Sequence, residues 1–97
     1  MIRVLETAED DLVDGYRFYE SQEPGVGEHF LNSIFADIDS LRRYAGIHKI
    51  IRGKYRMLAR KFPFAIFYTI ADDMIEVRAV LDLRRNPTWI RKRLDRE

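Results

Sequence analysis

The run FPFAIFYTI, from Phe62 to Ile70, is the most continuously apolar and β-prone stretch of the chain. Phe, Ile, Tyr and Thr carry their bulk close to the backbone and suit a pleated, half-buried surface, so the run is read as a central strand. Pro63 lacks a backbone donor and belongs at the start of that strand. YRMLAR, from Tyr55 to Arg60, comes before it and MIEVRAVLDL, from Met74 to Leu83, comes after it. The links are short, and Ala71, Asp72 and Asp73 supply a polar hairpin turn. Three successive antiparallel strands result, and the rest of the chain has to cover or flank them.

The covering material lies mostly upstream. Met1 to Leu5 alternates weakly and is expected to add a short edge strand. Thr7 offers a helix N-cap, with Glu9, Asp10 and Asp11 in the first turn where the helix dipole favours negative charge. Ala8, Leu12, Tyr16 and Tyr19 recur at helical spacing on one face. The turn chemistry of Pro24, Gly25 and Gly27 interrupts this helix. A second helix is predicted from about Val26 to Tyr44, with a stripe of Phe30, Ile34, Ile38 and Leu41 widened by Leu31 and Phe35. Glu28, Asp37, Asp39 and Arg42 are then expected to point outward. Ala45 to Lys54 reads as a basic connection, and PTWIRKRL, from Pro87 to Leu94, as a short basic terminal helix opened by proline.

Composition narrows the chemistry. Ninety-seven residues, 46% of them hydrophobic, suit one domain spanning residues 1–97 around a single core. There is no cysteine, and His29 and His48 are too few and too far apart for a metal cluster, so no metal site is expected. No cofactor is expected either, because the Gly25 and Gly27 turn lies between helices and cannot follow a strand as a nucleotide-binding fingerprint requires. No serine stands in a nucleophile-elbow context. No apolar run reaches the roughly 20 residues that cross a bilayer, and the default expectation is a soluble cytoplasmic protein.

The net charge of +1 conceals a division. Residues 1–48 hold 4 Lys or Arg against 10 Asp or Glu, net −6, and residues 49–97 hold 13 against 6, net +7. One face of the molecule should repel polyanions and another attract them.

Strict alternation assigns Phe64, Ile66, Tyr68 and Ile70, with Ile75, Val77, Ala79, Leu81 and Leu83, to the side that meets the helices. The opposite side then carries Ala65, Phe67 and Thr69 in the centre, Arg56, Leu58 and Arg60 on one flank, and Glu76, Arg78, Val80, Asp82 and Arg84 on the other. Exposed apolar groups ringed by arginines point to a partner or ligand. Arg56, Arg60, Phe67, Arg78, Val80 and Arg84 are therefore the candidate binding residues, and Arg85 is added to them by the resemblance described below. Trp89 joins them, either as a contact for the target or as the anchor of the terminal helix.

FYESQEPGVGEHF (Phe18 to Phe30), YRMLARKFPFAIFYTI (Tyr55 to Ile70) and VRAVLDLRRNPTW (Val77 to Trp89) together resemble the RelE/ParE superfamily of bacterial type II toxins, closest to its ParE-like, plasmid-stabilisation branch. The resemblance spans almost the whole chain. It implies an α+β fold in the order β-α-α-β-β-β with a short C-terminal helix: a helical hairpin packed on a twisted, mainly antiparallel sheet. It also implies a cognate antitoxin that neutralises the chain.

Two activities occur among such toxins. RelE-like members cleave messenger RNA on the ribosome, and ParE-like members inhibit DNA gyrase. Where RelE-like nucleases place an arginine in the central strand this chain has Ala65, and Leu58 replaces a second cation beside Arg56. Arg84 or Arg85 matches a family arginine, yet no tyrosine or histidine follows to transfer a proton. Asp82 stands where the branch usually has histidine.

The resemblance thus implies gyrase inhibition by binding, with catalytic residues expected only under the alternative endoribonuclease reading: Arg56, Arg60, Arg84 and Arg85. A third alternative is a non-toxic member that acts only within an antitoxin complex.

Overall fold

The computed structural model describes residues 1–97. Its first strand, β1 (Ile2–Val4), leads directly into α1 (Glu6–Gln22), which runs antiparallel to α2 (Val26–Asp39). Ala8 and Leu12 of α1 face Phe30, Ile34 and Ile38 of α2 across a shared core. The turn between them depends on Gly25, which takes a left-handed backbone at φ 93°. The Glu20 carboxylate accepts hydrogen bonds from the Gly25 and Gly27 amides, which supplies partners for donors at the start of α2. The two helices approach closely at Gly15, where a β-carbon would lie 2.5 Å from the Phe30 ring.

Thr7 does not cap α1. Helix α1 begins at Glu6, two residues earlier than a Thr7 cap would start it, behind an extended Leu5, and no side chain caps it. The Thr7 hydroxyl instead sits 2.7 Å from Glu97 Oε1 and 3.2 Å from the Arg78 carbonyl oxygen. The second helix also stops earlier than its periodicity predicts. It ends at Asp39 and resumes, after Ser40, as the single turn α3 (Leu41–Tyr44). Phe35 does not widen the buried stripe but is 47% exposed, whereas Asp37, expected outside, is buried and accepts a hydrogen bond from the Arg60 amide.

The basic connection contains a strand that its composition hid. β2 (Lys49–Ile51) pairs antiparallel with β3 (Lys54–Leu58) through the two-residue turn of Arg52 and Gly53, both at positive φ. β4 (Phe64–Ala71) and β5 (Met74–Asp82) complete a five-stranded sheet in the order β1-β5-β4-β3-β2, in which only the β1–β5 pair is parallel. The architecture is the expected α+β arrangement of a helical hairpin on a mixed, mostly antiparallel sheet, and α4 (Pro87–Arg96) closes the chain.

One irregularity reorganises the sheet. Tyr68 pairs with Val77 and Phe67 with Ala79, so Arg78 is an extra residue in β5, a β-bulge. Past it every side chain exchanges faces. Val80 therefore joins the helix-side core with Ile66 and Tyr68, while Ala79 and Leu81 turn to the opposite side with Ala65 and Phe67. This corrects the strict alternation assumed for β5. Helix α1 stabilises the bulge from above: Asp11, one turn after Thr7, accepts a 3.0 Å hydrogen bond from the Val80 amide.

The opposite side of the sheet is not open. Helix α4 lies across it, with Leu94 buried against Ala65, Phe67, Ala79 and Leu81 and with Trp89 and Ile90 packed alongside. Asn86 caps α4 by accepting from the Thr88 amide. Polar contacts hold the helix down at both sides. Arg93 makes a bidentate pair with buried Asp11 at 2.7 and 2.8 Å, and Arg52 does the same with exposed Asp95. Buried Lys54 donates to the Leu94 carbonyl oxygen.

Candidate binding groove

What the terminal helix leaves uncovered is a groove of about 390 Å³ between α4 and β2–β3. Ile51, Phe67, Leu83, Ile90 and Leu94 form its apolar lining with Pro87, and Arg52, Arg56, Arg85 and Arg91 supply its charge. Each element contributes for a local reason. Arg56 stands opposite Phe67 in the β3–β4 register, and Arg91 follows Ile90 on an amphipathic helix whose apolar residues are turned to the sheet. The Arg56 Nε is shielded from solvent and has no hydrogen-bond partner within the chain. A buried donor in that state is a place where an incoming acceptor gains most.

The candidate arginines separate into four settings. Arg56 and Arg85 border the groove, and Phe67 is its floor. The Arg85 guanidinium stacks on Trp89, 4.1 Å from the ring centroid, and Arg93 approaches the same indole at 5.8 Å. Trp89 packs on the sheet-side cluster as well. Arg60 lies elsewhere, in a polar cleft with His29, Asn32, Ser33 and Asp37 on the α2 side. Arg84 also lies on the helix side, since the bulge carries the end of β5 there. It holds Asp82 through two bonds of 2.8 and 2.9 Å, donates to the Tyr19 hydroxyl and approaches the Phe18 ring at 5.7 Å. Arg78 is engaged by Thr69 and Glu76.

Phe67 and Val80 are not exposed apolar anchors. They are 1% and 2% exposed and belong to different cores, Phe67 beneath α4 and Val80 beneath α1. Sequence reasoning missed Arg52 and Arg91. The basic tract around Arg52 and the i, i+4 spacing of Pro87 and Arg91 were visible, but only the docking of α4 brings them together.

Electrostatics distinguishes the settings. The Arg84 hydrogen bonds pull the Asp82 carboxyl below its ordinary range, and the bidentate contact with Asp11 raises the Arg93 guanidinium above its own. Burial pushes the Tyr19 phenol up. Burial likewise lowers the imidazole of His48, whose Nδ1 meets the Tyr68 hydroxyl on the helix side of the sheet. Neither histidine lines the groove. The groove thus holds four permanent cations and no side chain that exchanges a proton near neutral pH.

No protein-family profile and no curated protein matches the sequence. At the level of structure the chain is similar to a solved chain described as "Chromosomal ParDE TA system from P. aeruginosa". The two superpose with a TM-score of 0.74 at 17% identity, over 81% of this chain and 90% of that one. The likeness establishes a shared fold. No helix is long and apolar enough to cross a membrane.

Proposed function

We propose that this chain is the toxin of a type II toxin–antitoxin pair, ParE-like in action, which binds and inhibits DNA gyrase and is neutralised by a cognate antitoxin. The fold shared with a chain of a ParDE system supports the toxin reading, together with the sequence resemblance. The observation that carries the mode of action is the content of the groove. Cleavage of RNA by its own 2′-hydroxyl needs a base, an acid and stabilisation of the phosphorane charge. Arg52, Arg56, Arg85 and Arg91 supply only the last of these, and Ala65 lies buried beneath α4 where a nuclease would present an arginine.

Binding needs none of that chemistry. An apolar floor bordered by guanidinium groups, one with an unsatisfied Nε, suits a partner surface that brings carboxylates around an apolar anchor. Arg56, Arg85 and Arg91 are the target contacts in this reading. Trp89 fixes the Arg85 guanidinium in place through the stacked contact.

The test is regulated expression without antitoxin, with DNA and protein synthesis followed by pulse labelling. DNA synthesis should fail first, with induction of the DNA-damage response. Protein synthesis collapsing first, with cuts in ribosome-bound messenger RNA, would favour the nuclease. Undisturbed growth would favour a member that acts only inside an antitoxin complex.

A further inference from the structure

The free edge of the sheet at β2, which borders the groove at Ile51 and Arg52, has the features of a second docking surface. From Ser40 to Ala71 the chain contains no Asp or Glu and eight Lys or Arg. Within that stretch Tyr44, Ile47, Ile50 and Ile70 are 51%, 74%, 60% and 40% exposed. Tyr44 ends α3, Ile47 lies in the loop that follows, Ile50 is the middle residue of β2 and Ile70 lies near the end of β4. Tyr68 donates or accepts at two points that fix the Ala45–His48 loop over the sheet, the Gly46 amide and His48 Nδ1, and a β-carbon on Gly46 would lie 3.7 Å from Ile70 Cδ1.

The backbone of β2 is oriented for pairing. The two-residue turn closes on Ile51 and Lys54, so these form a hydrogen-bonded pair and Ile50, opposite Tyr55, forms the next, non-bonded pair. Ile50 consequently directs its N–H and C=O away from β3, toward the open edge. Its side chain ends a cross-strand row of Val77, Tyr68, Tyr55 and Ile50 on the helix side, and only this last member is uncovered. Lys49 and Ile51 point to the other side.

We infer that β2 accepts an added strand: an extended, acidic segment of a partner chain that alternates apolar and carboxylate side chains. The apolar residues of such a strand extend the Ile50 row beside Tyr44 and Ile47, and its carboxylates fall on the other side near Lys49 and Arg52. A second copy of this chain is disfavoured as the occupant, because a two-fold β2–β2 pairing centred on Ile50 adds the Lys49 and Arg52 of one copy to those of the other, with no carboxylate in either strand. Charge on an edge commonly serves to block pairing, but this edge strand also leaves Ile50 60% exposed, just after Ile47 at 74% in the loop before it. The inference concerns the backbone edge of β2, which shares only Ile51 and Arg52 with the arginine groove, and stands whether or not gyrase is the target.

The probe is a ten-residue peptide alternating valine with glutamate, compared with a counterpart carrying lysine at every glutamate. The glutamate peptide should bind the intact protein and slow hydrogen exchange at the Ile50 amide, and the lysine peptide should bind at least tenfold more weakly. Ile50→Pro removes the outward N–H together with the exposed isoleucine side chain, both of which the added strand uses, and is compatible with an edge strand, so the fold should persist while affinity falls at least tenfold. Should that variant misfold, a peptide N-methylated at every residue, which has no N–H on either edge, tests the same pairing on the unaltered protein and should not bind. Four results would overturn the inference: no binding of the glutamate peptide, equal binding of both peptides, binding without protection of the Ile50 amide, or a concentration-dependent dimer that Ile50→Pro abolishes.

Discussion

Asp11 shows how much one side chain can carry. Its carboxylate receives the Val80 amide at the bulge and both arms of Arg93, so it joins α1, β5 and α4 at one buried point. Removing Asp11 leaves Arg93 with only its longer 3.4 Å ion pair to Glu97 and the Val80 amide without its acceptor, at a cost of up to about 3–5 kcal/mol. Asp11→Ala is therefore expected to shift the denaturant midpoint sharply downward, to a degree that threatens a domain of this size. Chemical denaturation followed by circular dichroism checks this, and an unchanged midpoint would show that water replaces the carboxylate without loss. His48 provides a pH-dependent counterpart. Burial lowers its folded pKa below the ordinary 6.5, so the unfolded chain binds more protons beneath that value. Stability from the neutral imidazole is complete above about pH 6.5 and is lost as pH falls through the depressed pKa. Thermal midpoints measured from pH 7 to pH 5 should fall less in His48→Asn than in the wild type.

Among the elements, α4 departs most from its role in the sequence. PTWIRKRL reads as a short basic appendage, yet Leu94 is 1% exposed and seals a second core over Phe67 and Leu81. Leu94→Ala should cost about 2–5 kcal/mol, measurable as a lowered denaturant midpoint. Phe67→Asp would bury an unpaired carboxylate in the same place and is expected to prevent folding, not to act on a partner. The central strands and the helical hairpin were legible because their apolar spacing has one period and their turns carry Gly, Pro or Asp. The bulge was not: β5 presents apolar residues at 75, 77, 79, 80 and 81, positions of both parities, so alternation alone cannot locate a change of face. Three-residue β2 is too short to show any period. The buried Asp11 and Asp37 look in the sequence like ordinary polar-face residues, because the partners that hold them lie 69 and 23 residues away.

Across the whole molecule, the division of charge acquires a geometry. The acidic half supplies β1 and the helical hairpin, and the basic half supplies the other strands and α4, whose arginines border a groove that the sequence indicated only by Arg56 and Arg85. The central claim is that this groove acts by binding gyrase. It is tested most directly by adding the purified protein to gyrase and relaxed plasmid, alongside an Arg56→Glu, Arg91→Glu double variant of verified thermal stability. The account predicts dose-dependent loss of supercoiling with the wild type and at least a tenfold weaker effect with the variant. Undiminished supercoiling at every ratio of wild-type protein to gyrase, or equal potency of the double variant, would contradict it.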